Sequence, residues 1–566
     1  MMDLSLLYRK IRTFLSFAEF SALYKTAGIL LVSCIIFLSV YFWAERNRKE
    51  KLSSAACFIM LFLLYSLRTW NDTFAPYLWA EDGSVLIQGS IFDGINSIFQ
   101  PRNGTYWVIQ KIIALLCYRI VLPFNQLQVL PLLQGTITKL IAVFSVFYFM
   151  SSRFEWLVKK KIQRFYICAG IILLMPMHSA DVLTCDTSLP FLLNFTVFLL
   201  SLDFMFRKKA AMLSITETIF IILMALSTAA APFAAAAAVL AAGRWVIAGR
   251  QENTLTRKDL LSVGIKLIFI AAAAFMQVMC LFSGSRVNKS LDIINRLILN
   301  TRSFIFFPYW ENFHSWTFFF LGLIIWLFLM YRSKISKCVI LYCAGFSYAF
   351  LLYCSMTSPA ASFYQSIAGR YVFLSYEISV LLLGLALCSL FAEKGALKRL
   401  GQLILAVCLA VAAISYHVKV IGEEFIDVYR VNIGVFQEDG KNLVKIPIGP
   451  WWDLWLLTIP ADLPSNFIED MDIKINKIQK GYEHFQVSGL IESAGQDYAR
   501  LFLKLADESY IAAVSLAKAS ASAKQYTFSI SIPSDAFPSG CVLEFVGQTL
   551  NEEYHSRKIT VAPPLN

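Results

Sequence analysis

Apolar runs long enough to cross a lipid bilayer recur along most of this chain, and no other feature constrains its fold as strongly. A transmembrane helix needs about 20 consecutive, mostly apolar residues. Runs of this kind lie at residues 26–44, 53–70, 131–150, 165–180, 189–206, 212–231, 233–248, 260–282, 315–331, 338–355, 371–391 and 400–420. The sequence therefore predicts a polytopic α-helical membrane protein with about 12 transmembrane helices.

The composition and the placement of charge support this fold class. Hydrophobic residues make up 58% of the chain and charged residues 16%, whereas roughly a quarter of an average soluble protein is charged. This balance excludes a disordered chain, a coiled coil and an ordinary soluble enzyme. The formal net charge is +12, and basic residues cluster in short loops between the apolar runs, as at Lys159, Lys160 and Lys161. Such loops mark the cytoplasmic side of a membrane protein, so we predict no nucleic-acid partner.

The alternation of basic loops predicts the domain organisation of the first part of the chain. Residues 1–25 mix basic and apolar side chains and predict an interfacial amphipathic helix. Residues 26–422 form the predicted membrane core. Within it, residues 71–130 form a first outer loop, with helices at 84–99 and 106–122 that lie on the membrane surface.

The C-terminal tail has a different pattern. From about residue 472, apolar and polar residues alternate, and Gly, Pro and Ser turn signals separate the runs. Segments such as 501–503, 526–530 and 541–545 are typical of strands. We predict a connector at 423–471 and an extracytoplasmic β-sandwich domain at 472–566.

The first outer loop contains the most informative motif, Trp79-Ala80-Glu81-Asp82-Gly83-Ser84. A carboxylate at the boundary between a loop and a helix can point into a cavity and act as a general base. Asp82 can equally cap the helix that follows. The two roles are compatible, and the sequence leaves both open.

A second candidate is Arg370, at the outer end of the apolar run 371–391, with Glu377 two helical turns further on the same face. An arginine here suits an anionic head group such as phosphate, because a guanidinium donates two parallel hydrogen bonds. The alternative is an arginine that extends to the interface beside Tyr371 as an aromatic anchor. Glu377 favours the first interpretation, because a carboxylate predicts a polar cavity around this helix.

Other basic residues lie in the predicted outer loops, among them Lys111, Arg102 and Arg302. Positive charge on the outer side runs against the topology rule. We therefore predict an anionic partner for some of these residues, either a substrate phosphate or the phospholipids of the outer leaflet.

Aromatic and acidic residues complete the set of candidates. Tyr309 and Trp310 belong to a group that forms an interfacial belt or stacks on sugar rings. Asp181 lies near His178 and Asp186 in a polar outer loop, and their spacing matches no strong zinc pattern. The sequence therefore predicts no metal site.

The architecture and three short motifs resemble the GT-C superfamily of membrane glycosyltransferases, in particular bacterial enzymes similar to those that decorate O-antigen. The motifs are Trp79-Ala80-Glu81-Asp82-Gly83, Gly369-Arg370-Tyr371 and Ile446-Pro447-Ile448-Gly449-Pro450-Trp451. The resemblance covers roughly residues 50–460. It implies an enzyme of the bacterial inner membrane, with its active site and C-terminal domain facing the periplasm.

The resemblance also implies a reaction. A sugar passes from a polyprenyl-phosphate-linked donor to a lipid-linked polysaccharide acceptor, and Asp82 or Glu81 deprotonates the acceptor hydroxyl for an inverting attack. Some relatives carry two Asp where this chain has Glu81-Asp82, so either residue is a candidate for the base. No cofactor is implied, because lipid-monophosphate donors do not require a metal ion and no strong metal site is visible, but dependence on a divalent metal ion stays open.

The remaining roles follow from the same resemblance. The residues assigned to the donor phosphate are Arg370, Lys111, Arg102 and Arg302, and those assigned to the acceptor sugar are Tyr371, Tyr309, Trp310 and Asp181. Membrane lipids are further expected partners.

Two other functions stay open on the sequence. A transporter or flippase for a lipid-linked saccharide also has many spans and would use an intramembrane pair such as Arg370 and Glu377. Against it, no inverted repeat is visible and the large loop lies on one face only. A polysaccharide polymerase also has many spans and works on the outer face.

Overall fold

The computed structural model describes residues 53–69, 78–102, 104–174, 188–207, 213–228, 231–252, 255–283, 316–357, 369–414, 423–448, 455–464, 467–480, 484–492, 497–505, 510–518, 525–534 and 542–561. The predicted helices at 1–25 and 26–44 lie outside this part. The chain forms two compact units. The first comprises Met1–Phe74, Ile98–Gln110 and Gly135–Lys419, and the second comprises Ala75–Ser97, Lys111–Gln134 and Val420–Asn566.

Helices account for most of the chain up to residue 432. They are α1 (Ser54–Arg68), α2 (Gln88–Phe92), α3 (Val108–Val121), α4 (Leu130–Phe147), α5 (Lys161–Leu173), α6 (Leu189–Phe206), α7 (Ile215–Ala225), α8 (Ala231–Gln251), α9 (Arg257–Ser283), α10 (Trp316–Arg332), α11 (Lys337–Thr357), α12 (Gly369–Phe391), α13 (Ala396–Ile414) and α14 (Glu423–Asn432). A π-helix at Asp82–Ile87 precedes α2, and a 3₁₀-helix at Gly94–Phe99 follows it.

Each predicted apolar run between residues 53 and 420 overlaps one of these helices. Five segments of the described part are long and apolar enough to cross a membrane: Leu127–Met150, Leu189–Phe206, Pro232–Gln251, Arg257–Leu281 and Phe373–Phe391. This number is below the predicted twelve, because several of the other apolar helices are shorter than 18 residues in the described part. Apolar helices of this length indicate association with a membrane.

Local sequence signals explain where two of the apolar helices begin. Before α7, the Ser214 hydroxyl accepts the N–H of Glu217 at 3.1 Å, and the Glu217 carboxylate accepts the N–H of Ser214 at 2.8 Å. Thr256 and Asp259 make the same reciprocal pair at the start of α9. These capping boxes satisfy N–H groups that the first helical turn leaves without partners.

Most helices of the first unit contribute to one apolar core, whereas α7 and α9 pack in a second, smaller cluster. Three contacts illustrate how helices of the first unit meet. The Lys161 ammonium donates to the Ser54 hydroxyl at 2.8 Å, so α1 and α5 begin at the same end. The Cys168 thiol donates to the Val146 carbonyl at 3.3 Å, between α5 and α4. Gly170 lies beside Val380, and α12 is antiparallel to α5.

The second unit contains two β-sheets. The strands are β1 (Asn442–Pro447), β2 (Leu456–Ala461), β3 (Asp472–Lys480), β4 (His484–Glu492), β5 (Tyr498–Leu505), β6 (Ile511–Ala513), β7 (Ser515–Lys518), β8 (Gln525–Pro533), β9 (Val542–Thr549) and β10 (Tyr554–Thr560). One sheet has the order β10-β9-β5-β6-β1-β2 and the other β3-β4-β8-β7. Neighbours are antiparallel except β1 and β6, which are parallel.

One apolar core lies between the two sheets. Alternate residues of β4, such as Phe485 and Val487, are buried in it, as the alternation in the sequence predicts. Phe528 of one sheet and Phe545 of the other lie with ring centroids 5.0 Å apart. We call residues 442–561, which contain both sheets, the two-sheet domain.

The segment 423–471, which the sequence analysis assigned to a connector, contains α14 and the first two strands. β1 and β2 complete the six-stranded sheet. Their alternation is hard to recognise in the sequence, because each strand is short and contains a proline and because β1 does not border its sheet partner β6 in the chain.

Candidate active site

The Glu81-Asp82 pair lies at a strained start of a helical segment in the second unit. Ala80, 2% exposed, has a φ of 36°, which non-glycine residues rarely adopt. The N–H of Asp82 donates to the Trp79 carbonyl at 2.6 Å, which closes a tight turn. The backbone then forms the π-helix before it continues as α2. Backbone strain and π-helical turns both concentrate at functional sites.

The two carboxylates have different surroundings. Asp82 is 4% exposed, whereas Glu81 is half-buried. Glu81 occupies the N-cap position and its side chain makes no capping hydrogen bond, while Asp82 is the first helical residue. The helix therefore does not begin with Asp82 as its cap, which was one of the two interpretations of the sequence.

The segment that carries the acid pair is held against the two-sheet domain. The Gln88 side-chain oxygen accepts the N–H of Thr458, in β2, at 3.0 Å. A Cβ atom at Gly83 would overlap Cδ1 of Ile448, which directly follows β1 and is 1% exposed. Only glycine allows this approach without displacement of the isoleucine side chain.

Lys111, a predicted phosphate ligand, contacts the backbone of the segment that the sequence analysis assigned to the first outer loop. It is 4% exposed, and its ammonium donates to the Ser97 carbonyl at 2.7 Å. The Ser97 hydroxyl in turn donates to the Gly94 carbonyl at 2.7 Å. At least one N–H of the Lys111 ammonium therefore donates a hydrogen bond to the backbone of this segment.

Tyr118 lies on the same helix as Lys111. Burial, followed by the negative charge of Glu438, raises the pKa of Tyr118 to about 12. Its ring lies edge-on to Phe436, which precedes the two-sheet domain, with centroids 6.5 Å apart. The phenol stays protonated at neutral pH and is unsuited to act as a base.

The other predicted ligands lie in the first unit or outside the described part. Arg102 is exposed, and its backbone pairs with that of Thr105. The backbones of Arg370 and Tyr371 belong to the first turn of α12. The side chains of these last two residues lie outside the described part, as do Arg302, Tyr309, Trp310 and Asp181.

Two buried basic residues of the first unit escaped the sequence-based prediction. Arg68 and Lys139 are each 3% exposed. Arg68 ends α1, and Lys139 lies near the middle of the membrane-length segment Leu127–Met150. Ionisable residues at such depth are costly and mark functional sites. A lysine within a predicted span was the signal that could have found this site.

Glu377 is a third buried ionisable group of the first unit. It is 2% exposed, and its Oε2 atom has no hydrogen-bond partner among the described residues. Arg68, Lys139 and Glu377 are thus three buried ionisable residues of the first unit. We refer to these three residues as the Arg68 end.

A separate charged cluster of the first unit has its charges paired. The Asp203 side chain is 0% exposed and accepts from Arg153 Nε at 3.0 Å and from Trp156 Nε1 at 3.2 Å. The Arg153 guanidinium also donates to the Tyr148 hydroxyl at 2.9 Å and pairs with Glu217. We call this region the Arg153 end. Its contacts join α6 and α7 to the loop after α4.

Comparison of the chain with protein-family models, curated proteins and solved structures finds no match. Its function is therefore inferred from the residues and geometry described above.

Proposed function

We propose that this protein is a membrane glycosyltransferase that moves a sugar from a polyprenyl-phosphate-linked donor to a lipid-linked polysaccharide, with Asp82 or Glu81 as general base. The observation that supports it most is the buried carboxylate of Asp82, which a positive-φ turn and a π-helix present at one position of the second unit. The proposal includes a GT-C-like core of about twelve spans. It also includes an inner-membrane location with the second unit in the periplasm.

The proposed chemistry needs few groups. The carboxylate removes the proton of an acceptor hydroxyl, whose oxygen attacks the anomeric carbon of the donor sugar. The bond from this carbon to the phosphate oxygen breaks, the configuration inverts, and the polyprenyl phosphate leaves with the bonding electrons. The proton remains on the carboxylate until water removes it.

The buried cations of the first unit support an anionic lipid ligand. Arg68 and Lys139 are buried basic side chains that also have interaction partners within the protein, and electrostatic interactions are stronger in a protein interior than in water. A lipid phosphate offers the charge that such residues stabilise, and its tail suits the surrounding helices. Arg370 stays a candidate ligand of the lipid phosphate because of its position at the start of α12.

Separate substitutions Asp82→Asn and Glu81→Gln test this function. The variant that lacks the base should lose about 10²–10⁴-fold in transfer rate. The measurement is glycan composition by mass spectrometry in cells that hold equal amounts of each variant in the membrane. Asp93→Asn is the matched control, because Asp93 is an exposed carboxylate in the same loop. Full activity in both test variants would refute the catalytic assignment.

A lipid-linked saccharide transporter is the second candidate function. Lys139 and Glu377, buried in membrane-length helices, favour it, because ionisable residues in spans often mark transport pathways. Reconstituted vesicles that contain only donor and acceptor lipids separate the two. A transferase forms a new glycosidic bond, whereas a transporter moves the lipid between leaflets without changing it.

A further inference from the structure

The acid pair and the two-sheet domain belong to one compact unit although they lie far apart in the chain. Residues Ala75–Ser97 and Val420–Asn566 are both in the second unit. The sequence-based prediction treated the C-terminal domain as a separate module. The contacts of the π-helix and α2 suggest a different relation.

The first of these contacts is made at an edge strand. β2 is the last strand of the six-stranded sheet and pairs with β1 on one side. The N–H of Thr458 donates to the Gln88 side chain at 3.0 Å. An edge strand presents backbone groups that need partners, and Gln88 supplies one of them from the acid-bearing segment.

The second contact is made beside the acid pair itself. Gly83 directly follows Asp82, and its missing side chain allows Ile448 to pack against the backbone. Leu78 lies on the other side of the pair and also borders Gly83. The chain on each side of Glu81-Asp82 is thus fixed by buried neighbours of the second unit.

We propose that Ile448 and the edge strand β2 position the Glu81-Asp82 pair, with Gln88 as a positioning residue. This inference rests on the proposed function. It makes the two-sheet domain part of the catalytic machinery, because a displacement of about 1 Å at a reacting group costs up to about 100-fold in rate. Neither Gln88 nor Ile448 needs to touch a substrate for this effect.

The variant Gln88→Met tests the hydrogen bond, because methionine keeps the side-chain length and removes the acceptor oxygen. We expect kcat to fall about 10- to 100-fold while KM changes little. Gln88→Glu, which keeps an acceptor oxygen, should recover most of the loss. The measurement is sugar transfer by the full-length protein in membranes, with saturating and limiting donor lipid.

Tyr429→Phe is the matched control. The Tyr429 hydroxyl donates to the Leu127 carbonyl at 2.8 Å, a single hydrogen bond within the same unit that is not connected to the acid pair. Its loss should change the thermal stability of the protein as much as Gln88→Met does and leave kcat unchanged. Equal kcat values for Gln88→Met and Tyr429→Phe would overturn the positioning role.

A compensating pair tests the contact at Gly83 independently. Gly83→Ala should lower kcat, because the new Cβ pushes against Cδ1 of Ile448. Ile448→Val removes that atom, so the double variant Gly83→Ala/Ile448→Val should regain activity relative to Gly83→Ala alone. Ile448→Val alone is the reference. A double variant no better than Gly83→Ala would contradict the proposal.

The outcomes separate this inference from the proposed function. Suppose that Asp82→Asn or Glu81→Gln is inactive, that Gln88→Met has normal kcat, and that the double variant is no more active than Gly83→Ala. The assignment of the general base would then stand, and its positioning by the two-sheet domain would be rejected. Full activity of both acid variants would reject the proposed function, whatever the result at Gln88.

Discussion

The two ends of the first unit treat buried charge in opposite ways. At the Arg153 end, both oxygens of the buried Asp203 carboxylate accept hydrogen bonds, and Arg153 joins three different elements. At the Arg68 end, the buried Glu377 has an oxygen without a partner among the described residues. A buried charge with partners fixes the packing of helices, whereas a buried polar atom without one destabilises the fold.

This difference indicates what each end is for. The paired charges at the Arg153 end have a structural role, because they connect α6, α7 and the loop after α4. At the Arg68 end, the Glu377 oxygen without a partner among the described residues has no such explanation, and buried ionisable groups of this kind concentrate at functional sites.

The largest expected effect is on stability, at the Arg153 end. Asp203→Leu leaves Arg153 and Trp156 without their shared acceptor, and we expect the free energy of unfolding to fall by about 3–5 kcal/mol. Thermal unfolding in detergent and the amount of protein in the membrane measure it. Glu393→Leu is the control, since Glu393 pairs with Lys334 at 3.0 Å in an exposed position and should cost about 0–1 kcal/mol. Equal losses would contradict the structural role of Asp203.

The next effect is on activity, at the Arg68 end. Lys139→Met keeps the side-chain length but removes the buried charge, and we expect a sugar-transfer rate about 100-fold lower when it is compared at equal amounts of protein in the membrane. Lys258→Met, at an exposed lysine of α9, should have no effect on this rate. A Lys139→Met protein as unstable as Asp203→Leu would remove the distinction between the two ends.

The smallest effect is a gain in stability. Glu377→Met replaces an incompletely satisfied carboxylate with an apolar side chain of similar size, so the free energy of unfolding should rise by about 1 kcal/mol. Ser375→Ala, two residues away, should lower it by a similar amount, about 1 kcal/mol, because the Ser347 hydroxyl donates to Ser375 at 2.7 Å. Thermal unfolding of the two variants side by side measures both. A loss of stability in Glu377→Met would mean that Glu377 holds the bundle together.

Hydropathy and alternation were sufficient to locate most helices and most strands. They were sufficient because both patterns are local, and each element buries one face that the spacing of its own residues defines. The acid pair was found in the same way, from its place at the start of a helix. Local patterns could not show that Ala80 is strained, since a positive φ follows from the packing around it.

The residues and strands that the sequence analysis missed were missed for other reasons. Lys139 is concealed by averaging, because one lysine hardly changes the hydropathy of an 18-residue window. Strand β1 is fixed by pairing with β6, which lies well beyond it in the chain. Gln88 is fixed by its bond to Thr458, 370 residues away. No short window of sequence contains both members of such a pair.

The bond between Gln88 and Thr458 also sets an order of events during synthesis. Gln88 leaves the ribosome hundreds of residues before Thr458 does, and the helices of the membrane core are translated between them. The acid-bearing segment therefore lacks its partner strand β2 while those helices are synthesised. Contacts of such long sequence separation form late in folding. The contact that holds the acid-bearing segment is thus complete only after the two-sheet domain has been synthesised and has folded.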